Sequence, residues 1–331
     1  MSLRGDNLAA QLERLRDEYP RMFGCLDPAR IARWQSAVSS RRHALDEFGR
    51  REFGGRGESY VTAQARSGTA RTRGIRTLIE YLVADGQNCD GVFLDLLGGD
   101  GLVRRVASLI GFSQLDILTC DASPYMVEKA WSGGHPAVLQ EAQNPLARTG
   151  SLSGVLLAYG THHIAPGVRM TVTREAHRML KPGGVFVVHD FANDSHMADW
   201  FTDIVDKFGH TGHQYEHFSR DEILGYLTGA GFEACEVIDM YDPFVVSGTS
   251  AAAAEGLLAA YLLDMYGLSK VVQMCGTAGA QSWVLHRARE VFQTIPVRKV
   301  TGPGTPDGQP GHWTAELPRR ALAGIGIKSL A

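Results

Sequence analysis

The chain has 331 residues, of which 44% are hydrophobic and 21% are charged, and its formal net charge is -3. This composition is typical of a soluble globular enzyme with a core of useful size. No long basic run is present, so we expect no nucleic-acid partner.

Cysteine usage and apolar segments indicate the compartment. The five cysteines are scattered and form no CxxC pair, so neither a disulfide framework nor a structural zinc site is expected. The N-terminus shows no signal-peptide pattern. The most apolar long segment, near residues 251–268, carries Glu255 and Asp264, which favours a buried or interface helix over a membrane span. We predict a cytoplasmic protein with no membrane partner, and this helix leaves a homodimer open.

The first 85 residues predict a helical N-terminal cap. Between Arg41 and Arg76, arginines alternate with Glu47, Glu52 and Glu58, a pattern typical of a solvated helix face. A helical pattern starting at residue 69 ends at Gly86, where the character of the sequence changes.

Residues 86–241 alternate between strand-like and helix-like segments. Six strands are predicted, in the segments "VFLDLL", "LDILTCD", "AVLQ", "GVLLAYG", "VFVVHDF" and "FEACEVIDMY". Ser123 is a good helix N-cap before Pro124, and Ser219 with Glu222 forms a capping-box pattern. This order predicts an α/β fold with a doubly wound, mainly parallel sheet.

The end of the chain predicts a return to the sheet. Residues 242–317 predict a helical insertion, with helices near 251–268 and 280–293 and an exposed loop, "TGPGTPDGQPG". Residues 318–331 contain "RALAGIGIKSL", which predicts the last strand of the core.

A glycine-rich turn follows the first predicted strand, in "GVFLDLLGGDGLVRRVASL" at residues 91–109. Gly98, Gly99 and Gly101 allow the backbone to approach a ligand closely. Asp121 ends the second strand about 20 residues further on, where an acid binds ribose hydroxyls in nucleotide-binding folds of this kind.

The spacing of the glycines separates two kinds of nucleoside ligand. Dinucleotide enzymes use GxGxxG with the pyrophosphate at a helix N-terminus, and this spacing is not met here. Asp100 would also repel a pyrophosphate. A sulfonium nucleoside carries no phosphate, so the turn favours S-adenosyl-L-methionine (SAM) over a dinucleotide, which would belong to an oxidoreductase.

Four stretches resemble the class I SAM-dependent methyltransferases. They are "LDLLGGDG", "TCDASPYMVEKA", "LQEAQNPL" and the pair "YGTHHI" with "REAHRMLKPGGVFVVHDF". The resemblance covers roughly residues 68–240 and 318–328. It implies a Rossmann-like methyltransferase fold and SAM as the cofactor, but it names no acceptor.

The resemblance also implies a set of cofactor-binding positions, which are Asp95, Gly98, Gly99, Gly101, Asp121, Ala122, Met126, Glu141, Ala142 and Tyr159. The first four would cradle the methionine and ribose parts. Asp121 would accept hydrogen bonds from the ribose hydroxyls, and Ala122 and Met126 would lie near the adenine. Glu141 would accept from the adenine amino group, with a backbone contact from the next residue, and Tyr159 would lie near the methionine end.

One position departs from the family pattern, which has glycine where this chain has Leu97. A side chain there crowds the methionine carboxylate or shifts the loop. We expect methyl transfer with a slightly altered ligand pose. The alternatives are other SAM chemistry, such as aminocarboxypropyl transfer or SAM cyclisation, and a SAM-binding protein without catalysis.

Three residues are candidates for catalysis. His163 and His162 follow the fourth strand, and Asp190 ends the fifth, so all three are expected at the carboxyl edge of the sheet. Imidazole titrates near neutrality and suits a general base. The alternatives are a loop-stabilising role for the histidines and a capping role for Asp190. His189 is expected to be structural.

A second group of histidines, His210, His213 and His217, could bind a transition metal that chelates a 2-oxo acid or catechol. The neighbouring glycines predict a loop, so no metal is expected. Candidate pocket aromatics, for which core packing is the alternative, are Tyr60, Trp200, Phe201, Tyr215 and Phe218. The sequence thus predicts SAM-dependent methyl transfer to a small molecule of specialised metabolism, with oxygen favoured over carbon and nitrogen.

Overall fold

The computed structural model describes residues 3–40, 46–83, 89–300 and 312–330. Three features of the sequence prediction lie outside these residues. They are the boundary between residues 85 and 86, the helix end at Gly86, and the loop of residues 301–311.

Ten strands form two sheets in the described part of the chain. In chain order they are β1 Val92–Asp95, β2 Asp116–Asp121, β3 Ala137–Leu139, β4 Leu152–Leu157, β5 Leu180–Asp190, β6 Ala234–Tyr241, β7 Phe244–Gly248, β8 Val297–Val300, β9 His312–Leu317 and β10 Arg320–Ile327. Seven form the main sheet, in the order β3-β2-β1-β4-β5-β10-β6. Its strands pair in parallel except β10, which is antiparallel to β5 and β6. The predicted α/β class with a mainly parallel sheet is confirmed.

Thirteen α-helices are described, namely α1 Leu3–Glu18, α2 Pro20–Gly24, α3 Pro28–Ser40, α4 Gly57–Arg66, α5 Thr72–Leu82, α6 Leu102–Leu109, α7 Pro124–Ser132, α8 Pro166–Met179, α9 His196–Trp200, α10 Asp206–Phe208, α11 Arg220–Gly229, α12 Ala251–Met265 and α13 Ser269–Phe292. A π-helical turn, Phe201–Val205, joins α9 to α10. None of the described helices combines the length and the apolar character that a bilayer span requires.

Apolar periodicity explains how the helices cover the main sheet. Leu78 and Ile79 on α5 and Val103 and Val106 on α6 are buried in one cluster with Phe93 of β1. Apolar residues of α8 and α11 are buried with the other set of β1 side chains, Val92 and Leu94. Because side chains alternate along a strand, the two clusters lie on opposite faces of the sheet, and the central strands are covered on both sides.

The N-terminal helices protect the edge strand β3. The Oε1 atom of Gln11 on α1 accepts a hydrogen bond from the Leu139 backbone N–H at 3.1 Å. The indole Nε1 of Trp34 on α3 donates to the Leu139 carbonyl at 2.8 Å. These side chains satisfy backbone groups that an exposed edge would otherwise offer to another strand.

The segment predicted as a helical insertion contains more than helices. Besides α12 and α13 it contributes β7, β8 and β9, which form an antiparallel sheet in the order β7-β9-β8. The prediction of a purely helical insertion is therefore wrong in part. Short runs such as "FVVSG" do not reveal whether they pair, because their partners lie tens of residues away. The helix expected at 280–293 is the second half of α13, which is interrupted at Gly276.

The insertion shares one hydrophobic core with the segment that carries α9 and the π-helical turn. Side chains of α12, α13, β7 and β9 are buried together with Trp200 of α9 and Phe201 of the π-helical turn. A buried ion pair joins this region to the main sheet, because Arg319 donates to the Asp242 carboxylate at 2.6 Å and to its carbonyl at 2.9 Å. Asp242 follows β6 and Arg319 precedes β10, so the insertion leaves and re-enters the main sheet at one point.

Candidate active site

The turn between β1 and α6 requires glycine for two different reasons. Gly99 and Gly101 have φ angles of 55° and 82°, a left-handed conformation that disfavours side chains. At Gly98 a Cβ atom would lie 2.6 Å from Cγ2 of Thr119, so the obstacle there is contact with β2.

Leu97 imposes no backbone strain on this turn. Among the described residues, only Tyr159 and Gln293 are non-glycine residues with positive φ, so the departure from the family pattern falls where a side chain is tolerated. The Leu97 side chain lines the neighbouring cavity. Its effect is therefore on the shape of the ligand space rather than on the path of the loop.

Asp121 stands at the end of β2, as predicted, and faces the turn. Its Oδ2 atom accepts from the Gly99 backbone N–H at 3.0 Å and its Oδ1 atom from the Ser123 backbone N–H at 2.8 Å. Burial raises the pKa of Asp121 to about 6, against the lowering effect of these hydrogen bonds. The carboxyl is mainly ionised at neutral pH and can accept two ribose hydroxyls.

Asp95 lies behind the turn at the end of β1 and is only 2% exposed. Burial, together with the negative charge of Asp121, raises the pKa of Asp95 to about 8. The carboxyl is therefore mostly protonated at pH 7. Asp100, which the sequence interpretation took as a repulsive charge, is paired with Arg105 at 3.2 Å, so its negative charge is largely compensated.

A cavity of about 520 Å³ lies along the carboxyl edge of β1, β2 and β4. Eight of the predicted cofactor-binding and catalytic residues line it, namely Gly99, Asp121, Ala122, Met126, Glu141, Ala142, Tyr159 and His163. Five others, Asp95, Gly98, Gly101, His162 and Asp190, stand behind its wall and do not line it. Glu141 accepts from the side-chain amides of Gln143 and Asn144 at 2.9 and 3.0 Å, which orient it at one end of the cavity.

Residues 46–48 form a lid over this cavity. The Ser123 hydroxyl donates to the Asp46 carboxylate at 2.8 Å, and the Tyr215 hydroxyl donates to Glu47 at 2.7 Å. The lid closes tightly onto the start of α4, since a Cβ atom at Gly57 would lie 2.1 Å from the Phe48 carbonyl oxygen.

Tyr159 connects the cavity to a buried charged group. It has a φ of 60°, and its hydroxyl donates to the Asp242 carboxylate at 3.1 Å. The Arg71 guanidinium lies 4.8 Å from the Tyr159 ring and is buried without a carboxylate hydrogen bond among the described residues. His189 is fully buried, and its Nε2 atom lies 3.4 Å from the Asp242 carboxylate.

His163 is the predicted catalytic residue that faces the cavity. It lies on the 3₁₀ turn Thr161–His163 after β4, and its Nδ1 atom is 3.2 Å from the Glu47 carboxylate. Burial would raise the pKa of Glu47, but the hydrogen bond and charge of His163, together with Arg56, hold that pKa well below its usual range. An ionised Glu47 fixes the orientation of the imidazole ring.

His162 and Asp190 form a second, deeper pair. The His162 Nδ1 atom lies 2.9 Å from the Asp190 carboxylate, which also accepts from the backbone N–H groups of His162 and Phe191. Burial lowers the pKa of His162 to about 4 despite Asp190. The ring is therefore neutral at pH 7, and neither His162 nor Asp190 lines the cavity.

The three histidines of the predicted group, His210, His213 and His217, do not all lie together in the structure. His213 and His217 lie beside His162, at ring distances of 4.9 Å each, while His210 is exposed and bonded through its backbone to Gly267. Among the predicted aromatics, Tyr60 and Tyr215 line the cavity. The other three, Trp200, Phe201 and Phe218, are buried in the core.

The sequence interpretation missed Glu47 and the rest of the lid. Glu47 was assigned to a solvated helix face, but the structure places it between His163, Arg56 and Tyr215. Arg71, from the same interpretation, is buried as well. No local pattern distinguishes these residues from their exposed neighbours, because their partners are distant in sequence. The closely spaced glycines after residue 48 are the one feature that hinted at a compact turn.

Comparison with known proteins decides the family. A family model described as "Methyltransferase domain" matches residues 68–237, slightly more than half of the chain. The chain belongs to this methyltransferase family. It is a class I SAM-dependent methyltransferase, as the sequence resemblance implied, and SAM is its cofactor. No curated protein matches the chain.

Solved structures related to this methyltransferase share little sequence with it. The methyltransferase chain of a Haloferax volcanii complex with the Trm112 methyltransferase activator is 16% identical, with a TM-score of 0.51, and the match covers 87% of this chain and all of that one. YcgJ from Bacillus subtilis is 19% identical (TM-score 0.48; 77% and 98% covered). Haemonchus contortus phosphoethanolamine N-methyltransferase 2, solved with SAM, is 14% identical (TM-score 0.46; 77% and 52% covered).

The residues of the cavity fit SAM. The Asp121 carboxylate lies at the turn where a ribose would be held. The space beside Gly99 is bounded by the Tyr60 hydroxyl, which would lie 3.9 Å from a Cβ atom at Gly99. Glu141 is oriented at the cavity wall and can accept from an amino group. The wall between these acids is apolar, with Ala122, Met126 and Ala142, which suits the faces of an adenine ring.

Proposed function

We propose that this methyltransferase acts on a small molecule and that oxygen is the favoured acceptor atom, with carbon second and nitrogen third. One observation carries the proposal, namely the hydrogen-bonded pair of Glu47 and His163 on the cavity wall. A carboxylate that orients an imidazole is the arrangement expected of a general base. Such a base assists an acceptor that must lose a proton, as a hydroxyl or an enol does.

The size and the aromatic lining of the cavity support a small acceptor. Its volume of about 520 Å³ falls in the usual range for small-molecule sites. Phe48, Tyr60 and Tyr215 roof it, and the Phe48 ring meets Tyr60 and His163 edge-on at 5.9 and 5.5 Å. A polymer would need an open groove, whereas this aromatic roof suits a compact ligand that enters when the lid opens.

The residues of the site have different roles in the proposed reaction. SAM, when bound, supplies a methyl group made electrophilic by a cationic sulfur. Asp121 and the glycine turn would hold the nucleoside, and the side chains of Phe48, Tyr60 and Tyr215 would limit the access of water to it. The acceptor oxygen would take this methyl group, and S-adenosylhomocysteine would leave with the electron pair of the broken S–C bond. His163 takes the acceptor proton, and Glu47 stabilises the imidazolium that results.

The experiment supplies SAM together with matched acceptors on one aromatic skeleton, a catechol, a phenol and an aniline, and with an enolisable 2-oxo acid. Mass spectrometry identifies the methylated atom and the SAM-derived product. We expect S-adenosylhomocysteine and an O-methyl product. Methylthioadenosine would reveal aminocarboxypropyl transfer or cyclisation instead, and methylation of the aniline alone would overturn the preference for oxygen.

The base assignment has a matched pair of variants. His163→Ala should lower kcat by 10²- to 10⁴-fold, the usual contribution of a general base, with SAM affinity little changed. His210→Ala is the control, since the His210 side chain is exposed and does not line the cavity. Equal turnover in the two variants would show that His163 is not the base.

A further inference from the structure

Four histidine side chains meet beside the cavity, and the proposed chemistry uses only one of them. The ring of His162 lies 4.5 Å from that of His163 and 4.9 Å from those of His213 and His217. Two of the four follow β4 and the other two follow α10, so the fold brings together segments about 50 residues apart. We call these residues the histidine cluster.

Several ring nitrogens of the histidine cluster are buried without a partner. His213 is 6% exposed, and neither of its ring nitrogens has a hydrogen-bond partner in the described chain. The Nε2 atom of His217 is likewise buried and unpartnered there. Burying polar atoms in this way is costly and rare in proteins, which points to a ligand that these nitrogens bind.

The spacing of the nitrogens suits a single ion. One ring nitrogen from each of His162, His163 and His213 lies within 4.8 Å of the other two. Three nitrogens around a tetrahedral ion, with bonds of about 2.05 Å, would be about 3.4 Å apart. The nitrogens therefore need to approach one another by at most about 1.4 Å, a change that side-chain rotation can provide.

Carboxylates lie beside one ring nitrogen of His162, His163 and His217, whereas neither ring nitrogen of His213 has a partner in the described chain. Asp190 lies 2.9 Å from Nδ1 of His162 and 3.2 Å from Nδ1 of His217, and Glu47 lies 3.2 Å from Nδ1 of His163. A carboxylate that accepts from Nδ1–H fixes the tautomer whose Nε2 lone pair is free. This carboxylate–histidine arrangement is the usual support of a metal-binding imidazole.

We propose that His162, His163 and His213 bind a divalent first-row transition metal ion, which takes an oxygen atom of the acceptor in its open position. Three imidazoles are a donor set for Zn²⁺ or Fe²⁺, while Mg²⁺ and Ca²⁺ prefer oxygen ligands. Three protein ligands leave one position open, as in catalytic zinc sites. His163 lines the cavity, whereas His162 and His213 are buried and do not line it, so the acceptor would reach the ion on the His163 side of the cluster.

This inference rests on the proposed transfer to oxygen and changes how the acceptor is activated. A hydroxyl bound to the ion ionises at a lower pH, and its proton is released to water. The acceptor oxygen then takes the methyl group as the S–C bond breaks. In the metal-loaded enzyme His163 is a ligand and not the base, so the two roles exclude each other and can be told apart.

The test measures metal binding to the full chain after removal of metal with a chelator. Titration with Co²⁺, followed by its visible absorption, and with Zn²⁺ in competition should show one equivalent bound by the wild type. His213→Ala should bind at least 100-fold more weakly, and His210→Ala should bind as the wild type does. His213→Asn is the second variant in case alanine disturbs folding, and S-adenosylhomocysteine affinity and circular dichroism confirm that each variant is folded.

The outcomes separate this inference from the proposed function. Absence of stoichiometric binding by the wild type, or equal binding by the His213 and His210 variants, would overturn the metal site and leave His163 as the base. Metal binding with catechol turnover that is the same before and after chelation would overturn the role of the ion. Metal binding with no O-methyl product from any acceptor would instead overturn the transfer to oxygen.

Discussion

Replacing Asp95 by asparagine should change how the stability of this methyltransferase depends on pH. The folded protein keeps the Asp95 carboxyl protonated up to a pKa of about 8, whereas the ordinary value is 3.8. A carboxyl with a raised pKa favours folding most at low pH, and that contribution is lost as pH rises from the unfolded to the folded pKa. Asparagine has no proton to lose, so Asp95→Asn removes this dependence.

The magnitude follows from linkage. Each pH unit between the two pKa values costs about 1.4 kcal/mol of unfolding free energy. Between pH 5.5 and 7.5 the wild type should therefore lose about 2.5 kcal/mol relative to Asp95→Asn. Urea unfolding followed by tryptophan fluorescence, repeated across this range without SAM, measures the difference.

Asp90→Asn is the matched control, because Asp90 is exposed just before β1. Its unfolding free energy should run parallel to that of the wild type. If the curves for Asp95→Asn and the wild type are also parallel, Asp95 is ionised throughout the range and our account of the buried carboxyl is wrong.

Three further predictions concern the cofactor, the lid and the insertion. Asp121→Asn should weaken SAM binding by about 10- to 100-fold at pH 7.5, because charge-assisted hydrogen bonds are lost. Since burial raises the pKa of Asp121 to about 6, the SAM affinity of the wild type should fall as pH drops through 6, while that of the variant stays level. Calorimetry measures the affinity of both proteins across this range. A level curve for the wild type would contradict the role of Asp121 in SAM binding. Gly57→Ala should displace the lid, because the new Cβ atom would contact the Phe48 carbonyl. Proteolysis near residue 48 should then be faster than in the control variant Gly167→Ala. Gly167 is exposed, and a Cβ atom there would have no neighbour within 4 Å. Arg319→Met should lower the unfolding free energy by about 3 kcal/mol by leaving the buried Asp242 charge unpaired, and an unchanged denaturation midpoint would refute this.

The sheet and the glycine turn after β1 could be predicted because their signals are local. Gly99 and Gly101 are glycine for a backbone reason, and Asp121 stands at the end of its strand, so a short window of sequence specifies each. The capping box at Ser219 and Glu222 is also present as expected. Such patterns depend on neighbours within a few residues.

The roof of the site could not be predicted in this way. Glu47 contacts His163, which lies more than a hundred residues later in the sequence. Asp190 contacts His162 and His217, which lie in separate segments. The second sheet depends on pairing between β7 and β9, which lie about 70 residues apart. Contacts of this range follow from packing of the whole chain, and no short pattern encodes them.

The single point of exit and return of the insertion has a consequence for diversification. Because Asp242 and Arg319 close the base of this segment, residues can be added at its exposed turns while the seven-stranded platform keeps its register. No described residue between positions 243 and 318 lines the cavity, so such additions, made with these two residues preserved, offer a way to attach new surface to the enzyme without changing the cavity lining.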